Sequence, residues 1–162
     1  MPSPEPEPFT VEGTYTGKVT VTEDWSNEDT ATEDWSNEDT ATRLGQTFEV
    51  RVEVPASCVP VPEGSCEVKY SDLYERSDWE LDSSEFTWAQ DGDRWVLTSR
   101  GKVTDECLGG GTTESSDDIT FTFKRDERAA KSVRISYVWN TTDNPSNQCA
   151  AGFHTDGRLT RR

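Results

Sequence analysis

Residues 47–54 read TFEVRVEV, with Phe48, Val50, Val52 and Val54 alternating with Thr47, Glu49, Arg51 and Glu53. A period of two places one set on a buried face and the other in water, which is the pattern of a half-buried strand. Pro55 has no amide hydrogen to give a ladder, and ends it. The same period runs upstream through FTVEGTYTGKVTVT, residues 9–22, where Val11, Tyr15, Val19 and Val21 share one parity and threonines fill the other. Downstream, SCEVKY (65–70) puts Cys66, Val68 and Tyr70 on one face.

EFTWAQ and RWVLTSRGKV flank Asp91-Gly92-Asp93, a strong hairpin signal. ITFTFKR and KSVRISYVWN flank DERAA in the same way, with Ile119, Phe121 and Phe123 alternating, then Val133, Ile135, Tyr137 and Trp139. GFHTDGRLTR closes the chain as a short strand or a hairpin around Asp156-Gly157. Residues 72–86 read as a helical turn or an irregular strand, and no segment has helical periodicity. The expected fold is all-β: about eight short antiparallel strands in a meander, closed as a lipocalin-like barrel or folded as a β-sandwich, with two disulfides.

Composition narrows the function. Of 162 residues, 31% are hydrophobic and 30% charged, with a formal net charge of −16, so burial is thin and nucleic acid or anionic membrane surfaces are poor partners. No apolar run approaches the ~18 residues of a membrane span. Residues 1–8, MPSPEPEP, are a Pro/Glu-rich linker with no basic or apolar signal region, of the kind that joins an ectodomain to an anchor. Residues 9–162 form a single β domain.

The four cysteines are Cys58, Cys66, Cys107 and Cys149, and the one histidine is His154. Zinc would need about four such ligands in clustered spacings, which these lack. A disulfide framework fits better, and implies an oxidising, extracytoplasmic compartment. Three connectivities are open. The favoured one pairs Cys58 with Cys66 around the turn-rich VPVPEGS, and Cys107 with Cys149.

TEDWSNEDTA spans 22–31 and recurs unchanged at 32–41, giving an acidic insertion at 22–41 between two strands. Long surface loops accept such additions cheaply. It reads either as a loop lengthened by duplication or as a partner-binding loop with Trp25 and Trp35 as anchors, flanked by Asp24 and Asp34. The two copies could also pair as a small ribbon.

Catalytic motifs are missing. There is no G-x-S-x-G, no H-E-x-x-H and no EF-hand, and a Ser-His-Asp arrangement would have to use His154. Glu114, Asp117 and Asp118 read as solvated residues of a Gly/Ser-rich loop. Asn140-Thr141-Thr142 matches a glycosylation acceptor. Trp79, Phe86, Trp88, Trp95 and Trp139 either fill the core or line a cavity at a barrel mouth. No cofactor is expected.

GTYTGKVTV (13–21), SCEVKY (65–70), FTWAQDGDRWVLTSRGKVTDEC (86–107) and C-x-x-G-F-H-x-D-G-R-L-T-R (149–161) together resemble the small secreted, lipoprotein or kinase-linked extracytoplasmic β domains of actinobacteria. The duplicated acidic loop departs from that pattern. The resemblance implies a binding or sensing module and carries over no catalytic residues. The expected function is therefore a non-enzymatic extracytoplasmic domain. It would present a surface to a protein or cell-envelope component, as a monomer. The alternative is a small barrel carrying an apolar ligand.

Overall fold

The structure, a computed structural model, describes residues 9–24, 45–71, 81–106, 112–125, 128–141 and 152–162. Eight strands follow one another: β1 (Gly13–Asp24), β2 (Thr47–Val54), β3 (Ser65–Tyr70), β4 (Asp82–Asp91), β5 (Arg94–Glu106), β6 (Thr112–Lys124), β7 (Ser132–Thr141) and β8 (Gly152–Arg161). Each pairs antiparallel with the next, and β8 returns to β1, closing a barrel. A sandwich is excluded. Closure leaves no long free edge, which matters for strands this polar. Among the described residues no helix is long and apolar enough to cross a membrane.

Register fixes the width. Thr47 lies opposite Thr20, and the path continues through Asp156, Ser136, Thr120, Thr98, Thr87 and Ser65. Extending the β2–β3 register, in which Val52 faces Tyr70, brings it back to β2 at Ser57, ten positions from its start. With strands ~4.8 Å apart and ~3.3 Å per residue, that stagger tilts the strands by ~40° and gives a radius of ~8 Å. Side chains can fill such a barrel, or it can hold one small ligand.

The alternation read from sequence points inward as expected. Phe48, Val50, Val52 and Val54 are buried, as are Val11, Tyr15, Val19, Val21, Cys66 and Val68. Phe86, Trp88, Trp95 and Trp139 are buried too, whereas Trp79 lies outside the described residues. Rings pack in two layers. Tyr15, Trp88 and Trp95 gather around Phe123 and one another at 5.8–5.9 Å, and Phe86 stacks on Phe121 at 4.9 Å with Tyr70 edge-on to both.

Two glycines shape the seam between β1 and β8. A Cβ on Gly157 would lie 2.4 Å from the Lys18 carbonyl oxygen, and one on Gly17 would lie 2.6 Å from that of Arg158. Only glycine lets the two backbones come this close.

Of the two readings of the last segment the strand holds: β8 runs through Asp156-Gly157, because Gly157 serves the close approach to β1. Two expectations change. Glu114, Asp117 and Asp118 are not in a loop but in β6, whose ladder with β5 extends to Thr112 opposite Glu106. Thr22, Glu23 and Asp24, the first residues of the duplicated segment, continue β1 past an irregularity between Val21 and Glu23. Of the two expected disulfides, the described residues contain Cys58–Cys66; Cys107 and Cys149 lie outside them.

Candidate site at the barrel mouth

The two ends of the barrel differ. At one, residues 9–12 cross the opening. Thr10 donates its amide to the Arg128 carbonyl and accepts from Ala130, burying Phe9, Val11 and Ala130. The Tyr15 hydroxyl donates to the Val11 carbonyl at 2.7 Å and ties this plug to β1. Burial pushes that phenol up to about 12, and Arg161 only partly opposes the shift. The disulfide loop sits here as well. The turn between β4 and β5 is short because Gly92, at φ 61°, fits the first central position of a II′ hairpin.

At the other end, alternation puts Asp117 of β6 on the inner face, two positions beyond Ile119 and four beyond Phe121. Asp117 is in register with Gly101 on β5 and with Trp139 on β7. Its carboxylate accepts a hydrogen bond from the Tyr137 hydroxyl at 2.8 Å. Across the barrel the hydroxyls of Tyr70 and Ser84 share a hydrogen bond of 2.8 Å. Burial pushes the Tyr70 phenol up. The Ser84 hydrogen bond pulls it back, and the Asp82 and Asp117 carboxylates add to the rise. The Tyr70 ring, edge-on to Phe86 of β4 and Phe121 of β6, places β3, β4 and β6 side by side at this end.

Beneath these polar groups lies the Phe86–Phe121 stack, and Trp139 and Tyr137 are buried in the wall. Thr155, buried on β8, adds an inner hydroxyl. A Cβ on Gly101 would meet no atom within 4 Å among the described residues. Among the described residues the arrangement is an aromatic floor beneath two pairs of polar groups, with no described atom within 4 Å of a Cβ placed on Gly101. It offers apolar contact at depth and directional hydrogen bonds near the rim, the usual division of labour in a small-molecule site.

None of the residues nominated from sequence as partner contacts falls in this mouth. Asp24 is the last residue of β1, and Trp25, Asp34 and Trp35 lie outside the described residues. His154 is on the outer face, where its Nε2 and the Ser136 hydroxyl are 2.8 Å apart. The nearby Asp156 is engaged by Arg134, whose Nε and Nη2 donate to its two oxygens at 3.2 and 2.8 Å. That guanidinium holds the Asp156 carboxyl below its usual range. Asp117, Tyr137 and Ser84 carry no motif in the sequence, and only the inner parity of β4, β6 and β7 singles them out.

A second feature lies at the closed end. Val59 and Val61 are 53% and 47% exposed, the large hydrophobic side chains most open to solvent among the described residues. They flank Pro60 in the loop that Cys58–Cys66 closes. The Gly64 amide donates to the Val61 carbonyl, the Glu63 amide to the Trp88 carbonyl, and the Trp88 amide to the Gly64 carbonyl. Glu63 is held at φ 64°, a left-handed conformation unusual for its type. The loop is thus held by a disulfide and three backbone hydrogen bonds while it presents two valines to solvent. Compared with known proteins, the chain matches no protein-family model and no curated protein.

Proposed function

We propose that this chain is a non-enzymatic, extracytoplasmic barrel that binds a small molecule in its mouth. The observation that carries the reading is the layered mouth: the Phe86–Phe121 floor, the Tyr70–Ser84 and Tyr137–Asp117 pairs above it, and the space beside Gly101. A polar group turned into a barrel costs stability unless it is paired. These are paired with one another, at the end of the barrel away from residues 9–12. The disulfide suits an oxidising compartment, and the resemblance to actinobacterial secreted or lipoprotein domains points the same way. The test is native mass spectrometry of the oxidised protein from an oxidising host, beside Gly101→Trp. The reading expects a small organic adduct on the parent protein that the indole displaces. An adduct unaffected by Gly101→Trp would place the ligand elsewhere.

A second reading, the presentation of a surface to a protein or cell-envelope component, is favoured by the exposed Val59 and Val61 on their stapled loop. Rigid apolar side chains lose little freedom on docking. Replacing both with serine should abolish such binding. Trp25, Trp35, Asp24 and Asp34 belong to the same reading, and deleting residues 32–41 tests them. If no binding property changes, the duplication is neutral.

A further inference from the structure

We propose that β3 takes up an extended peptide of a partner protein as an added strand, in the gap where β2 leaves it. The site lies at the closed end and does not depend on a ligand in the mouth. β2 and β3 are in register only at Val52 opposite Tyr70 and Glu53 opposite Lys69, and every other seam of the barrel runs longer. The Ser71 amide donates to the Arg51 carbonyl, and the Arg51 amide to the Ser71 hydroxyl. Bonded positions alternate along an antiparallel ladder, so Glu53 with Lys69 is the next and Pro55 with Glu67 would follow. Pro55 has no amide hydrogen, and its carbonyl accepts from the Cys58 amide as the chain turns to the disulfide. Among the described residues, no hydrogen bond joins the Glu67 main chain to β2 or to the loop after it. The opposite edge of β3 is complete, because β4 pairs with it as far as Ser65.

Ser65 and Glu67 therefore turn their N–H and C=O groups toward a groove of about 590 Å³, with Val54, Pro55 and Ser57 on one wall and Glu67 and Lys69 on the other. Donors and acceptors in that alternation are matched by the main chain of an extended peptide, the basis of strand addition. The side chains of such a strand alternate. One set would meet Val54 and Pro55, and the other would stand beside Glu67. Glu53 holds Arg51 at 2.7 Å and faces Lys69 in register, while Glu12 and Arg161 lie beside Gly13 on the β1 side. The residue directly across from the open position thus faces Glu67, which favours lysine or arginine there.

The probes are the heptapeptides acetyl-TVXVXVT-amide, with X lysine, threonine or glutamate, added to the isotope-labelled, oxidised full chain and followed by amide NMR. In the free chain the Glu67 amide should exchange rapidly with solvent, and the lysine peptide should slow it. The lysine peptide should bind at least tenfold more tightly than the glutamate peptide, and Glu67→Lys should reverse that order. Two forms of the lysine peptide, N-methylated at one or the other alternate set of residues, separate main-chain pairing from side-chain contact. One form should bind like the parent peptide and the other should lose binding. Glu67→Pro removes an amide that β4 does not use, and should abolish uptake; should that variant fail to fold, Glu67→Lys decides. A Glu67 amide already protected in the free chain, equal binding of both methylated forms, or no binding of any peptide up to about 1 mM overturns the proposal. Dimerisation of the chain that Glu67→Lys abolishes would make a second copy the occupant, and overturns the partner peptide.

Discussion

Replacing Glu63 by glycine should make the protein more stable. The Val61 carbonyl accepts from the Gly64 amide at 3.0 Å, which closes a four-residue turn over Pro62 and Glu63. Proline suits the first central position of a type II turn, and the second requires positive φ. Glu63 supplies it at 64° although it carries a Cβ. A non-glycine residue in this region costs about 1–2 kcal/mol. Glycine relieves that cost but loses about 0.4–1 kcal/mol through the freer unfolded chain. The net gain is about 0.5–1 kcal/mol. Glu63→Asn, whose side chain tolerates the left-handed region, should gain a similar amount, whereas Glu63→Val should lose more than ~1 kcal/mol. The assay is urea unfolding of the oxidised protein followed by tryptophan fluorescence, with Gly and Asn above Glu and Glu above Val. A loss of stability in Glu63→Gly would refute the strain argument and show that the Glu63 side chain makes a contact worth more than its backbone costs.

Gly157→Ala should cost about 2–3 kcal/mol, because the new Cβ would press on the Lys18 carbonyl and the Val19 Cα, both backbone atoms that move only if β1 and β8 part. A melting temperature within a degree of the parent would contradict it. Removing the bridge with Cys58→Ala and Cys66→Ala should cost about 2.5 kcal/mol on the chain-entropy estimate for this loop, read from the shift in urea midpoint; a change below ~1 kcal/mol would mean that the proline-rich loop is already ordered without it. Tyr15 gives a pH test. Its folded phenol titrates at about 12 and an unfolded one near 10, so its contribution is complete below pH ~10 and is lost as pH rises toward 12. Tyr15→Phe should flatten that alkaline decline while costing about 1 kcal/mol at neutral pH, since the Val11 carbonyl loses its donor; an unchanged slope between pH 9 and 11 would assign the decline to other groups.

Where the inner face of a strand is apolar, the sequence is easy to read. TFEVRVEV alternates because one side is oil and the other water, and β1, β3 and the deep halves of β5–β7 follow the same logic. The mouth is illegible for the same reason. In TTESSDD both faces of β6 carry polar residues, so the alternation that marks a half-buried strand vanishes and the segment reads as a loop. Asp117 therefore reads as a solvated carboxylate, although β5 pairs with this stretch throughout its length. Asp156-Gly157 leaves strand and hairpin both open for a different reason. The dipeptide is a turn signal only when glycine is there for its φ, and here it is there for the absence of a Cβ. No local pattern distinguishes those uses, because the atoms that demand glycine belong to a strand more than a hundred residues away.

The distribution of polarity along the barrel is hard to explain by stability alone. The closed end spends its apolar residues on Phe9, Val11, the disulfide and the ring cluster around Phe123, which need no hydrogen-bond partners. Two residues beyond Ile119 the inner face turns to Asp117, and two beyond Phe86, toward the mouth, it turns to Ser84. Valine or threonine at either place would satisfy the ladder with less desolvation. Instead each polar side chain is matched by a tyrosine hydroxyl from a different strand, Tyr137 for Asp117 and Tyr70 for Ser84. Such matching fixes the direction of each group, and direction matters to a bound molecule more than to a core. It also holds a carboxylate at the end of a hydrophobic shaft, where its field is screened less than on the outer wall. The barrel thus places its strongest directional chemistry where packing alone would have left it out.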